Sequence, residues 1–353
     1  MKVNKKLIID FDDSIIHALK RMDEVRSKML LIFKNGSFYS ILTIGDLQRA
    51  IIANKDMKSS LGKIVNRETK IYGRPDDDLD SIKSKMQEIR AEMMPVVDKE
   101  GNLIKIYYWN DFFHDDIRGI DKKQVNIPVV IMAGGLGTRL KPLTNVLPKP
   151  LIPIGEKTIL EVILDQFEKI GCTQFFLSVN YKDEMIRYYM SNLSHKYNIQ
   201  YFKENKPLGT IGSVRLIKDK LNSPFFVSNC DILIDQDYLP VYDYHINNKN
   251  DMTIITSVKS FSIPYGVVES GSDGLLEALI EKPEYEYMIN TGVYLLNPEV
   301  LEYIPENQLF HITHLMECVK QNGGRVGCFP ISEQSWIDMG NWEEYEKIIK
   351  KNE

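Results

Sequence analysis

Three glycines in four positions, Gly134, Gly135 and Gly137, follow an apolar run at 127–131 and precede the cations Arg139, Lys141 and Lys149. Glycine tolerates positive φ and lets backbone N–H groups come close to an anion, so a strand running into such a loop suits a polyphosphate. Two familiar phosphate loops do not fit. A Walker A loop ends in Gly-Lys-Ser/Thr, whereas Gly137 is followed by Thr138 and Arg139. A dinucleotide fingerprint needs glycine three positions after Gly137, and Leu140 stands there. Carboxylates also sit just beyond apolar runs: Asp231 closes Phe225-Phe-Val-Ser-Asn-Cys-Asp231, and Asp338 lies in Trp336-Ile-Asp-Met-Gly. A carboxylate at such an edge can hold a hard cation such as Mg²⁺, although Asp is equally a turn residue.

The whole stretch Met132-Ala-Gly-Gly-Leu-Gly-Thr-Arg-Leu-Lys-Pro-Leu-Thr144, with Pro148-Lys-Pro150 after it, resembles the signature of sugar-1-phosphate nucleotidyltransferases. The later segments keep that family's order: Pro207-Leu-Gly-Thr210, Asp231, Glu281-Lys-Pro283, Asn290-Thr-Gly292 and Trp336-Ile-Asp338. The resemblance implies that Ala133, Gly134, Gly135, Gly137 and Thr138 bind the nucleotide, its phosphates cradled by the glycine N–H groups. It gives Arg139 the departing pyrophosphate, Lys149 the phosphoryl centre, and Asp231 with Asp338 the Mg²⁺ cofactor. Cys230 stands where the family usually has glycine. Lys282 is expected on the sugar phosphate, with Glu281, Asn290 and Thr291 on the sugar side. Pro207, Leu208, Gly209 and Thr210 are expected on base and ribose, with Glu204, five positions before Gly209, facing the base edge.

Glu204 then points to GTP. An ionised carboxylate only accepts hydrogen bonds. Guanine alone among the bases offers two adjacent donors, N1–H and N2–H₂. Uracil and thymine flank one N–H with carbonyls, while cytosine and adenine put an amino group beside a bare nitrogen. A plain exposed Glu in a turn is the competing reading, and UTP, dTTP or CTP would then be the alternatives.

Positioning these groups calls for alternating strands and helices. Apolar runs at 129–132, 174–179, 225–228 and 252–258 predict strands, and the spacing at 160–170 and 183–190 predicts helices. That alternation argues for an α/β, doubly wound, mainly parallel Rossmann-like sheet with ligands at the carboxyl ends of its strands.

The first third reads differently. One pattern occurs twice, offset by 64 or 65 positions: Asp12-Asp13 and Asp77-Asp78 each precede a helical stretch, and 29–33 parallels 93–97 as a strand. A turn, a second strand and a short helix close each copy. This α+β duplication resembles a CBS pair, or Bateman module, over 1–122, with copies at about 1–62 and 63–122. In that family a Thr-x-x-Asp holds an adenosine nucleotide. Thr43-Ile-Gly-Asp46 matches it, and Tyr108-Trp-Asn-Asp111 keeps only the Asp. Thr and Asp are also ordinary helix caps. Such a module is expected to sense adenosine nucleotides, to supply contacts for a homo-oligomer, or to do neither. A polar linker is expected at 115–126, then the nucleotidyltransferase domain at 127–353. The full arrangement resembles bacterial guanylyltransferases that make GDP-glucosamine for legionaminic acid. Mannose and heptose 1-phosphates rank behind glucosamine 1-phosphate, and a non-catalytic nucleotide sensor is a remote alternative.

Bulk properties set the remaining bounds. With 353 residues, 43% apolar and 26% charged, two soluble domains are expected. No apolar run nears the ~18 residues a membrane span needs, and no signal peptide is evident. Cys172, Cys230, Cys318 and Cys328 lack CxxC spacing and read as reduced cytoplasmic thiols. Residues 1–122 hold 22 basic and 20 acidic side chains, the remainder 22 and 29, so the catalytic part is acidic and ill suited to nucleic acid.

Overall fold

The computed structural model describes residues 5–89, 91–112, 124–193, 197–340 and 342–346. The chain forms two compact units, Met1–Lys122 and Lys123–Glu353. Most of the linker expected at 115–126 lies outside the described residues. No helix among them is long and apolar enough to cross a membrane.

In the first unit β1 (Ile8–Asp10) pairs parallel with β2 (Met29–Lys34), which pairs antiparallel with β3 (Ser37–Thr43). Between them, α1 (Ile15–Val25) begins where the Ser14 hydroxyl accepts the His17 N–H, and it buries Ile15, Leu19 and Met22. α2 (Ile44–Ile52) follows β3 directly. The pattern recurs: α3 (Leu79–Ile89), then β4 (Met93–Val97) antiparallel to β5 (Leu103–Tyr108), with Gly73 bridged parallel to Val96 as β1 is to β2. Ile82 and Met86 of α3 pack on Met94 and Val96. Of the second copy's expected closing helix only the turn Trp109–Asp111 is described, and the rest lies outside the described residues.

The second unit opens with β6 (Val129–Met132), the short α4 (Leu143–Val146), the hairpin β7 (Pro153–Ile154) and β8 (Lys157–Thr158), and α5 (Ile159–Glu168). Then come β9 (Gln174–Val179), α6 (Asp183–Ser191), β10 (Asn198–Lys203), β11 (Phe225–Asn229), β12 (Ile232–Ile234) and α7 (Leu239–Asn247). The chain continues through β13 (Met252–Ser262), the hairpin β14 (Val267–Ser270) and β15 (Leu276–Ile280), and β16 (Glu284–Leu296). It closes with α8 (Ile312–Gln321), β17 (Val326–Ile331) and β18 (Trp336–Asp338).

Seven strands form one sheet in the order β10-β9-β6-β11-β16-β13-β17. Every neighbouring pair is parallel except the two made by β16. The sheet is therefore mainly parallel, as expected. Alternate side chains feed two cores. Val129, Ile131, Phe175 and Leu177 pack with Leu160, Ile163 and Phe167 of α5, whereas Val130, Phe176 and Val227 pack with Leu315 and Val319 of α8. Burying each such aliphatic or aromatic side chain stabilises by about 1.5–3 kcal/mol.

Three details depart from the sequence expectation. Helix α5 ends at Glu168 rather than 170, because Gly171 at φ 93° lets the Cys172 N–H fold back onto the Phe167 carbonyl. The strand expected at 252–258 runs on to Ser262, paired with the antiparallel β16. Strands β10 and β16 carry mixed apolar and polar residues, and β17 is broken up by Gly327 and Pro330, so a local apolar count passes over them.

Candidate active site

The chain leaves β6 toward β9 and β10 on one side, then crosses to β11 on the other. β6 and β11 are parallel neighbours, but the order in which strands are added to the sheet reverses between them, and ligands bind at such a switch point, outside the carboxyl ends. The glycine loop leaves β6 there, and Asp231 leaves β11.

The loop is held from several sides. Gly137 has φ 65°, and a Cβ on it would stand 2.7 Å from Thr144 Cγ2. The Thr144 hydroxyl donates to the Gly137 carbonyl at 2.9 Å. Lys182, beyond β9, donates to the carbonyls of Asn145 and Val146 at 2.6 and 2.7 Å. The Trp342 indole donates to the Lys141 carbonyl at 2.9 Å. The Pro-Leu-Thr after the loop thus latches it. Thr138 opens the turn that carries Arg139 outward.

Four charged side chains meet beside the loop. Lys149 Nζ donates to Asp231 Oδ2, and both side chains are nearly buried. Arg139 Nη2 stands 3.7 Å from the same oxygen while its side chain stays 63% exposed. Pairing of β12 with β18 sets Ile232 opposite Asp338, and the Met339 N–H donates to the Asp231 carbonyl at 2.9 Å. A Cβ on Gly340 would lie 2.6 Å from Asp338 Oδ1, 2.9 Å from Asp231 Oδ2 and 2.7 Å from Arg139 Nη2. Both carboxylates therefore border one space that only glycine leaves open. The neighbouring Cys230 thiol is pushed up to about 12, by burial and then by the Asp231 charge, and stays protonated at neutral pH.

Beside this cluster lies a cavity of about 480 Å³. Of the expected nucleotide residues, Gly134, Gly135, Glu204, Pro207, Gly209 and Thr210 line it. Glu204 Oε2 accepts the Leu208 N–H at 3.0 Å, and Oε1 lies 3.5 Å from Asn180 Nδ2. Gly209, at φ 85°, runs so close to Phe310 that a Cβ would sit 2.5 Å from its carbonyl oxygen. Three expected residues have structural work. Ala133 is buried and donates its N–H to the Ser178 carbonyl, Leu208 is buried beneath the loop, and the Thr210 hydroxyl accepts the Ile312 N–H at 2.9 Å, opening α8.

Met132, Leu136, Ser178, Asn180, Tyr181 and Asn229 also line the cavity and were not singled out from the sequence. Asn180 and Asn229 carried the same signal as Asp231, a polar residue at the carboxyl end of an apolar strand.

Glu281 and Lys282 form the exposed turn between β15 and β16, with Lys282 at φ 45° and without an ion pair among the described residues. Asn290 and Thr291 fall where the pairing of β13 with β16 shifts register. Asn290 Oδ1 accepts the Gly292 N–H at 3.0 Å, and the buried Thr291 hydroxyl donates to the Ile255 carbonyl at 2.8 Å. A Cβ on Gly292 would stand 2.6 Å from Asn229 Nδ2, so this irregular stretch of β16 reaches the cavity rim.

In the first unit Thr43 and Asp46 form a capping box for α2. Arg49 and Lys70 each reach the Asp46 carboxylate at 2.5 Å. Burial raises the Asp46 pKa, but Lys70 and the Thr43 N–H and hydroxyl outweigh it, leaving the carboxyl below its ordinary value. Asp111 accepts the Tyr108 N–H at 2.7 Å.

Residues 128–353 match the nucleotidyl transferase family, and the chain belongs to it. It is 34% identical over 226 residues to the mannose-1-phosphate guanyltransferase of Schizosaccharomyces pombe, covering 61% of each chain. It is 37% identical over 183 residues to the catalytic subunit beta of mannose-1-phosphate guanylyltransferase from Drosophila pseudoobscura pseudoobscura, covering 50% of this chain and 49% of the relative. The chain thus spans 49% and 61% of the length of these two curated relatives. The crystal structure of HddC from Yersinia pseudotuberculosis, also solved with GMP-PN, superposes with a TM-score of 0.50 at 28% identity, covering 64% of this chain and all of HddC.

Proposed function

We propose that the second unit is a sugar-1-phosphate guanylyltransferase, converting GTP and a sugar 1-phosphate to a GDP-sugar and pyrophosphate. The observation that carries this reading is the convergence of Arg139, Asp231 and Asp338 on the space at Gly340, with Lys149 paired to Asp231, beside the nucleotide cavity. A sugar-phosphate oxygen attacks the α-phosphorus of GTP. The bond from that phosphorus to the β-phosphate oxygen breaks, and its electron pair leaves with pyrophosphate. A phosphate oxygen is already ionised at neutral pH, so no protein nucleophile is required, and catalysis is positioning plus charge neutralisation. Backbone N–H groups of the 134–137 loop cradle the phosphates, Arg139 takes charge developing on pyrophosphate, and Lys149 serves the transferred phosphoryl group. Lys282 holds the sugar phosphate, with Glu281 and Asn290 bonding sugar hydroxyls.

Magnesium fits the residues present. Two carboxylates bordering one open space suit an ion that takes one or two protein carboxylates and completes its shell with substrate phosphates and water. When bound, it would neutralise charge on the reacting phosphates. Among the described residues no group of three or more His, Cys, Asp or Glu is placed to hold a metal ion.

Guanine specificity is supported by the Glu204 carboxylate in the cavity, by the relatives named as guanylyltransferases and by the HddC complex with GMP-PN. Mannose 1-phosphate is the sugar the relatives' names support. Glucosamine 1-phosphate, for legionaminic acid, follows from the resemblance of the whole two-part arrangement. The repeated helix–strand–strand topology supports reading 1–122 as a CBS pair, with Thr43, Asp46 and Asp111 as its adenosine-nucleotide residues. Absence of any thermal shift with AMP or ATP would count against that sensing role. Pyrophosphate release across five nucleoside triphosphates and the mannose, glucosamine and heptose 1-phosphates tests the transferase reading. No release with any pair, in the presence of Mg²⁺, would overturn it.

A further inference from the structure

We propose that Asn180 is a base-specificity residue that works with Glu204 as one row along the guanine edge. In this row the Asn180 amide donates to O6, while the two Glu204 oxygens accept from N1–H and N2–H₂. The proposal deepens the guanylyl-transfer reading above and rests on it.

The row follows from sheet register. Strands β9 and β10 are parallel, with Val179 opposite Lys203, so the next residues, Asn180 and Glu204, emerge side by side at the carboxyl edge. Adjacent strands lie about 4.8 Å apart, which sets the two side chains at neighbouring positions of one edge. Both line the cavity. One face of the row is kept clear by glycine: a Cβ on Gly134 would stand 3.3 Å from Asn180 Cβ and 3.8 Å from Glu204 Oε1.

Donor capacity is available. Asn180 Nδ2 has two N–H groups, and its one side-chain partner among the described residues is Glu204 Oε1 at 3.5 Å, the outer limit of a hydrogen bond. Glu204 Oε2 accepts the Leu208 N–H at 3.0 Å, which fixes the carboxylate and leaves that oxygen a second lone pair. Read across, the protein presents donor, acceptor, acceptor. Guanine presents acceptor, donor, donor. Adenine would set its amino group against the Asn180 donor. Cytosine opposes the row at all three places, and uracil and thymine put a carbonyl against Glu204. Glu204 alone separates guanine from bases lacking paired donors. Asn180 adds the reading of O6.

The test compares kcat/KM for GTP, 6-thio-GTP and ITP in the unaltered protein, Asn180→Ala and Asn180→Asp, with thermal unfolding to check each fold. In 6-thio-GTP a larger and weaker acceptor, sulfur, replaces O6, and ITP lacks only the 2-amino group. The unaltered protein should prefer GTP over 6-thio-GTP by roughly tenfold, the scale of one specific hydrogen bond. Asn180→Ala should lose that preference while keeping the penalty on ITP, which Glu204 imposes. Asn180→Asp should use GTP less well than Asn180→Ala, since a carboxylate then faces O6. An Asn180→Ala variant slowed equally with GTP and 6-thio-GTP would show that Asn180 only positions Glu204, and the proposal would fall alone. A protein that prefers another nucleoside triphosphate over GTP would remove the guanylyl reading and this proposal together.

Discussion

Two carboxylates in this molecule, one in each unit, are tied to a nearly buried lysine: Asp46 to Lys70 and Asp231 to Lys149. Their surroundings differ. Around Asp46 the Thr43 N–H and hydroxyl, Arg49 and Lys70 converge on the carboxylate, and Thr43 in turn caps α2. Around Asp231 a second carboxylate, Asp338, and the guanidinium of Arg139 border a space that Gly340 leaves open. A buried ion pair alone does not mark a reaction centre. A second carboxylate bordering an unfilled space is what sets the Asp231 cluster apart from the one that also caps α2.

The largest expected effect breaks the structural pair. Asp46→Ala strands the Lys70 ammonium, and losing one partner of a buried pair costs about 3–5 kcal/mol. Thermal or denaturant unfolding should show that loss in the first unit, while pyrophosphate release by folded protein changes little. Acid sharpens the same point. The folded pKa of Asp46 lies below its ordinary value, so its contribution is present at neutral pH and lost as pH falls through that lowered value.

Next comes the reactive pair. Asp231→Asn, like Arg139→Ala, should cut turnover by at least about a hundredfold, the scale of removing a transition-state charge partner. Near-normal turnover with the fold intact would remove that role. Gly340→Ala is milder in chemistry but aimed at the open space itself. Its methyl would stand within 2.9 Å of three charged side-chain ends, and turnover should fall without loss of Lys149 or Arg139. Gly340→Ala at full activity would mean that the space is not used.

The smallest effect serves as a control at a residue whose hydrogen-bond partners belong to neither pair. His245 is buried between the Thr253 hydroxyl and the Asn297 carboxamide, and burial lowers its pKa. The folded state therefore binds fewer protons than the unfolded chain. Stability should be full above about pH 6.5 and decline as pH falls below it, as urea titrations between pH 7.5 and 5.5 would read. His245→Gln should flatten that slope.

Much of the site was legible along the chain because each piece is local chemistry. Glycines mark a loop whatever lies beyond it, Asp231 and Asp338 follow apolar runs, and the order of segments carried the family resemblance. Asn180 and Asn229 obeyed the same rule as Asp231, yet an amide after a strand is too common to stand out until a cavity is seen between two of them. Thr144 and Thr210, read as signature letters, prove to be fasteners, one on the Gly137 carbonyl and one on the first turn of α8. In the first unit the repeated pattern foretold the repeated elements, since helix and strand periodicities are written in adjacent residues.

Composition and spacing alone determined that a glycine-rich loop follows a buried strand, that strands and helices alternate after it, and that a duplicated unit precedes it. Only tertiary structure decided that Lys149 meets Asp231 across 82 positions, that β18 brings Asp338 to the same space, and that register sets Asn180 beside Glu204. The reason is physical. Local propensity acts over a few residues, whereas a meeting of charges from distant segments depends on sheet order and strand register, which are settled only when both faces of the sheet are buried.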